Sequence, residues 1–185
     1  MSALAGLVHR FTVEEVLRWA ERGMFEILPR VELLDGMLID RAPPHDDHIG
    51  VTHHLARQLR QRVEPAWTVL EEKPLRVDAH NLPEPDVQVV RVPSEAVWGT
   101  PEAADVALVV EVAVNSRAID MHKAEIYALG GVPLYWLVDV PRRVVIVWSE
   151  PQDGEYTRRE TLVADASIEV PGGYGQIPIR VFLPR

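Results

Sequence analysis

A carboxylate stands in a run otherwise built for a protein core. Glu111 lies in DVALVVEVAV (105–114) with valines on both sides. A buried carboxylate without a partner is so costly that a chain protonates it, pairs it or gives it to a metal. In an extended strand Glu111 shares a face with Val109 and Ala113, while Val110 and Val112 point the other way. The run EPDVQVV (84–90) carries a second acid. There Asp86, Gln88 and Val90 share a face, and Pro85 suits a strand start, where no ladder hydrogen bond is needed. If the two strands are neighbours, Asp86 and Glu111 converge. Two such acids repel, so an ordered site calls for a divalent cation, and hard oxygen ligands select Mg²⁺ or Mn²⁺.

Lys123 is the third candidate. At helical spacing it shares a face with Ile119, Ile126 and Tyr127, an apolar stripe expected to pack on a sheet. From Glu111 to the strand end at Val114 is about 10 Å, and five residues into a returning helix is about 7.5 Å. A helix folding back over the strand therefore brings the ammonium level with Glu111. A plainer arrangement uses the same residues: Lys123 pairs with Glu111 or Asp120 as a structural ion pair, and Asp86 ends a turn. The residues alone leave both open.

Other chemistries find less support. There is no cysteine, which excludes disulfides, thiolate metal sites and cysteine nucleophiles and is compatible with the cytosol. His45, His48, His53 and His54 do not form the His-Glu-x-x-His pattern of a zinc hydrolase. They read as helix-surface residues, with His48 alone in reach of the site. No serine lies in a Gly-x-Ser-x-Gly elbow. Tyr135 and Trp136, on an apolar run, read as core. A net charge of −9 and a pI near 5.2 are the wrong sign for coating nucleic acid. The basic clusters Arg57, Arg60 and Arg62, Arg142 and Arg143, and Arg158 and Arg159 read singly as solvated surface.

The elements that must position these groups are legible in outline. Thr12 with Glu15 forms a capping box, flanked by Phe11 and Val16, for a helix running to about Gly23. VELLDGMLID (31–40) reads as a β-hairpin turning at Asp35-Gly36. Asp46 or Asp47 can cap a second helix whose buried stripe is Ile49, Thr52, Leu55, Ala56, Leu59 and Val63, ending at Pro65. Strands follow from Trp67 to Leu70 and on towards Val77, from Asp86 to Val92 and from Val106 to Val114, with a loop over 93–105. A third helix spans about Ala118 to Leu129 and stops at Gly130-Gly131. LYWLVDVPRRVVIVW (134–148) is two β-runs split at Pro141, and more strand surrounds Pro171-Gly172-Gly173. At 185 residues, 47% of them hydrophobic, the chain suits a single α/β (α+β) domain with a central mixed sheet flanked by helices, its core at about 25–150 and its C-terminal strands at 151–185. No run approaches the roughly 20 apolar residues of a membrane span, and the N-terminus has no long apolar segment. A cytoplasmic protein without a membrane partner is the expectation.

Taken in order, these residues resemble a known family. Glu32 in VELLDGMLI, Glu84-Pro85-Asp86, Val110-Glu111-Val112, Asp120-x-x-Lys123-x-x-x-Tyr127 and GVPLYWLVD (131–139) together look like the Uma-two family of restriction-endonuclease-like proteins, a branch of the PD-(D/E)XK nuclease superfamily. The likeness runs from about residue 10 to residue 150. It implies a restriction-endonuclease-like core, with Asp86, Glu111 and the backbone carbonyl of Val112 as ligands of one Mg²⁺ or Mn²⁺. It also implies Lys123 as the residue that orients water or stabilises charge on a phosphate, and Glu32 as a further acid that binds a second ion or stays structural. The superfamily lysine normally follows two residues after the glutamate; here Ala113 stands there, and the Uma-two branch moves the lysine to the next helix. The Ser-Pro-Ser-Thr-like turn of the family is Val114-Asn115-Ser116-Arg117 in this chain, of which only Ser116 fits. The implied activity is metal-dependent hydrolysis of nucleic acid, DNA foremost, by an enzyme that as a homodimer can cut two strands. A non-catalytic relative, serving as an oligomeric scaffold or nucleic-acid-binding module, is the alternative that the acidic net charge favours.

Overall fold

The computed structural model describes residues 8–24 and 31–184, so the first part of the expected core, residues 25–30, lies outside the described residues. Helix α1 (Val13–Glu21) begins at the anticipated capping box: the Glu15 N–H donates to the Thr12 side chain and the Thr12 N–H to the Glu15 carboxylate. It stops two residues short of Gly23. Val13 and Val16 bury against Leu33 and Leu82, with Phe11 packed on them. Strands β1 (Val31–Leu34) and β2 (Met37–Asp40) form the expected hairpin. Asp35 and Gly36 both have positive φ, 51° and 71°, the sense that matches strand twist in a two-residue turn. Gly36 is required twice over, since a Cβ there would meet Arg10 Cβ at 2.8 Å.

Helix α2 (Asp46–Val63) is capped by His45, whose Nδ1 accepts the Asp47 N–H at 3.2 Å, and not by Asp46 or Asp47. Both aspartates instead occupy the first turn, where carboxylates favour the positive end of the helix dipole. The buried stripe is Val51, Thr52, Leu55, Ala56, Leu59 and Val63. Ile49 falls at its rim and is 53% exposed, contrary to expectation.

Six strands make the main sheet, side by side in chain order: β3 (Thr68–Glu71), β4 (Val87–Val90), β5 (Val106–Ala113), β6 (Leu134–Asp139), β7 (Val144–Gln152) and β8 (Glu155–Val163). β3 and β4 are shorter than expected: the chain leaves the sheet after Glu71, and Asp86 stands just ahead of β4. All neighbours are antiparallel except β5 and β6, which run parallel. A parallel pair needs a crossover, and helix α3 (Arg117–Leu129) provides it. β5 alternates as its sequence dictates. Val110 and Val112 pack with Leu55 and Leu59 of α2, and Val109 and Ala113 with Ala124 and Tyr127 of α3. The loop 93–105 holds two 3₁₀ turns. Of the C-terminal strands, β8 extends the main sheet. Strands β9 (Ser167–Glu169) and β10 (Gln176–Pro178) pair separately, and Ile168 and Ile177 close the core on the α2 side. The result is a mixed α+β domain. No helix among the described residues is long and apolar enough to cross a membrane.

Candidate functional site

Glu111 is 2% exposed and lies near the C-terminal end of β5, on the face covered by α3. The antiparallel register sets Val87 opposite Val110, which carries Asp86 past the end of the β4 ladder to the edge of β5. There the Val112 N–H, with no β4 carbonyl to meet, donates to Asp86 Oδ2 at 2.7 Å. An extended residue turns its N–H and C=O to the same strand edge, so the Val112 carbonyl faces the Asp86 side as well.

Lys123 arrives from the second turn of α3. Its ammonium lies 3.0 Å from Glu111 Oε1, 2.8 and 2.9 Å from the two oxygens of Glu32, and 3.9 Å from Asp120 Oδ1. Lys123 thus stands level with Glu111, as the strand and helix rises imply, and is ion-paired there. The Tyr127 hydroxyl, one turn further on, donates to the same Glu111 Oε1 at 2.7 Å. Glu32 comes from β1, where Leu33 bridges to Leu82, and it also accepts the Glu84 N–H at 2.9 Å. Ile119, expected on the buried stripe with Lys123, is 42% exposed and forms part of the cavity wall instead.

Two groups join that the sequence did not assign firmly. Arg41, just past β2, places Nη2 3.1 Å from Asp86 Oδ1, Nη1 3.1 Å from Glu84 Oε1 and Nε 3.8 Å from Glu32 Oε1. The Glu84 contact lacks hydrogen-bond geometry. His48, the exception among the four helix histidines, sets Nε2 3.0 Å from Asp86 Oδ2. For Arg41 a signal existed and was not used. Glu32 pairs with Ile39 across the hairpin, and two residues further the chain returns to the same face at Arg41. The three-residue spacing marked Asp120 only as a partner of Lys123; that it also lines the cavity depends on where α3 lands.

Glu32, Arg41, His48, Asp86, Glu111 and Lys123 all line one cavity of about 270 Å³, with Asn115, Ser116 and Asp120 at its α3 end. Val112 does not line it. Burial raises the Glu111 carboxyl well above its usual range; Lys123 opposes this, while Asp86, Asp120 and Glu32 add to it. Burial likewise lifts Asp120 to about 6, with Lys123 and the Ser116 hydroxyl pulling down and Asp86 and Glu32 pushing up. Asp86 goes the other way. Burial would raise it, but the hydrogen bond and charge of His48, the Val112 N–H and Lys123 together hold it below the ordinary value. Lys123 stays charged: burial is overcome by Glu111, Glu32 and Asp120. His48 is raised by Asp86 against its own burial.

The donor types are those a hard divalent cation takes, although among the described residues no group of three or more His, Asp or Glu side chains is placed to hold a metal ion. Five carboxylates, those of Glu32, Glu84, Asp86, Glu111 and Asp120, face two permanent cations, Arg41 and Lys123, so the cluster carries an excess of negative charge even with His48 protonated. Glu111 accepts both of its hydrogen bonds on Oε1. Among the described residues its Oε2 takes none. Asp86 is less open, since Oδ1 is held by Arg41 and Oδ2 by Val112 and His48.

A mixed sheet flanked by helices, with acids and one lysine gathered where β5 ends, defines a protein of the restriction-endonuclease-like class. The family model described as "Uma2: Putative restriction endonuclease" matches residues 13–178. The chain belongs to this family. Among solved structures, one titled a "putative nuclease belonging to DUF820 from Anabaena variabilis" has a similar fold, with TM-score 0.67 and 17% identity over 83% of this chain and 89% of that one. No curated protein matches.

Proposed function

We propose that this protein is an endonuclease that uses Mg²⁺ or Mn²⁺ to hydrolyse phosphodiester bonds of nucleic acid, with DNA as the first substrate to try. The observation that carries this reading is the position of the Lys123 ammonium, within hydrogen-bonding distance of Glu111 in the same cavity that Asp86 lines. Asp86 and Glu111 are the cavity residues that would hold the cation; the Val112 carbonyl, expected as a third ligand, lies outside the cavity lining. When bound, the cation supplies charge to polarise a phosphate oxygen and to acidify water.

The chain's own groups do the rest. Lys123 has three N–H donors, of which Glu32 and Glu111 engage two. With both Glu32 oxygens and Glu111 within reach, the ammonium would hold a water or a phosphate oxygen by exchanging one of these contacts as charge develops there. Glu32, bound to Lys123 through both oxygens and to the Glu84 N–H, acts as the anchor that fixes the ammonium. Tyr127 fixes Glu111 in turn. Arg41 has to leave Asp86 Oδ1 before that oxygen can serve as a ligand.

The same occupancy of Asp86 favours a second reading, a non-catalytic member of the family in which the ion-pair network is purely structural. Purified protein with supercoiled plasmid and Mn²⁺ or Mg²⁺ separates the two. Nicking that needs the metal and falls on the order of 10²–10³-fold in Glu111→Gln and Asp86→Asn establishes the hydrolase. If wild-type protein binds neither cation by calorimetry and cuts nothing, the structural reading replaces it.

A further inference from the structure

An acidic nuclease needs some place where a polyanion is welcome, and the structure offers one at the C-terminal end of β6. Asp139 is 1% exposed and lies in register with Ala113, two residues beyond Glu111 on the neighbouring parallel strand. Its carboxylate grips two arginines. Arg117 Nε is 2.8 Å and Arg142 Nη1 3.1 Å from the same oxygen, Oδ2, while Oδ1 accepts the Arg142 backbone N–H at 3.2 Å. One arginine would neutralise Asp139; the second leaves this spot positive in a chain of net charge −9. Both guanidinium groups remain partly open to water, with side chains 39% and 63% exposed. Arg117 uses only Nε, so its two terminal amino groups have no protein partner among the described residues.

Position matters as much as charge. Ligands of α/β sheets gather outside the carboxyl ends of parallel strands, and β5 and β6 are the parallel pair here. Arg117 follows Ser116, which lines the cavity, and consecutive Cα atoms are about 3.8 Å apart. We propose that Arg117 and Arg142, fixed by the buried Asp139, form a phosphate clamp that holds the nucleic-acid backbone beside the cavity. Orientation by Asp139 keeps each planar fork ready for a phosphate without the entropy loss a free arginine would suffer. That the anion belongs to nucleic acid rests on the hydrolase reading above.

The test is binding of a short fluorescein-labelled DNA duplex, followed by anisotropy in Ca²⁺ across a salt series. Arg117→Ala with Arg142→Ala weakens binding about tenfold or more and flattens the plot of log affinity against log salt by about 1–2, the loss of one or two phosphate contacts. Arg158→Ala with Arg159→Ala, the same charge change on β8, leaves both quantities near wild type. Arg117→Lys with Arg142→Lys keeps the charge and recovers most of the salt slope, which separates lost binding from lost folding. If the alanine pair binds as wild type does while plasmid is still cut, the clamp is wrong and the hydrolase stands. Equal losses in the two alanine pairs also overturn the clamp, since net charge alone then explains them. Wild-type protein that binds no duplex at any salt removes both readings.

Discussion

Glu111 and Asp139 sit near the same end of neighbouring strands, both essentially sealed from water, yet they keep opposite company. Asp139 is met by two guanidinium groups and a backbone N–H, and the positive charges outnumber it. Glu111 is met by one ammonium and one phenol, with Asp86, Asp120 and Glu32 pressing on it as like charges. The contrast shows that equal burial can hide opposite electrostatic surroundings, a cationic one at Asp139 and an acidic one at Glu111. A buried surplus of negative charge is a poor way to hold a fold together, and the raised Glu111 carboxyl is how the chain relieves it here.

Breaking the balance around Glu111 has the largest expected effect. Lys123→Met leaves Glu32 and Glu111 without their ammonium. Urea denaturation near pH 8 then shows a loss of about 3–5 kcal/mol, the usual result of orphaning buried charge. The loss shrinks towards pH 5 as Glu111, already raised by burial, takes up a proton. Thinning the like charges sharpens the contrast in the other direction. In metal-free protein the Asp120 carboxyl titrates near 6 against 3.8 unfolded, so its charged form disfavours the fold. That penalty is complete above pH 6 and gone below about pH 4. Asp120→Asn is therefore more stable than wild type by about 2 kcal/mol at pH 8, and the two denaturation midpoints merge in acid.

At the other carboxylate, Asp139→Asn keeps the turn but loses two charge-assisted bonds. Because both arginines are half in water, the cost is about 1–2 kcal/mol, read from the same urea curves. The smallest change concerns Arg41, which adds positive charge to the crowded side. Arg41→Met frees Asp86 Oδ1 and tightens Mn²⁺ binding roughly tenfold, equivalent to ~1.4 kcal/mol, by calorimetry. Unchanged or weaker Mn²⁺ affinity in that variant would mean that Arg41 and the cation do not compete.

What the sequence revealed, and what it hid, divides along local and distant contacts. The capping box at Thr12, the Asp35-Gly36 turn and the alternation of β5 are local rules, and each is present as read. The convergence of Asp86, Glu111 and Lys123 was legible because strand and helix rises fix how far a side chain travels from a shared turn. The cap of α2 was misassigned because histidine Nδ1 can accept a backbone N–H as aspartate does. Arg41 was overlooked for a different reason. Hairpin alternation puts it on the face of Glu32, but its bond to Asp86 spans 45 residues of chain. The clamp at Asp139 was likewise hidden, since Arg142 taken alone reads as surface and Arg117 lies 22 residues from its partner.

The ribbon of β1 and β2 is a sheet of its own, yet it delivers both Glu32 and Arg41. Among the described residues its backbone ties to the rest are few: the Leu33–Leu82 bridge and the bonds from Gly36 to Phe11 and His80. Lys123 and Glu32 meet across 91 residues, one of the longest closures in the molecule and hence late and entropically dear to form. The cavity chemistry therefore depends on how this separate two-stranded ribbon packs, through Leu33 against Val13, Val16 and Leu82, and not on the six-stranded sheet alone.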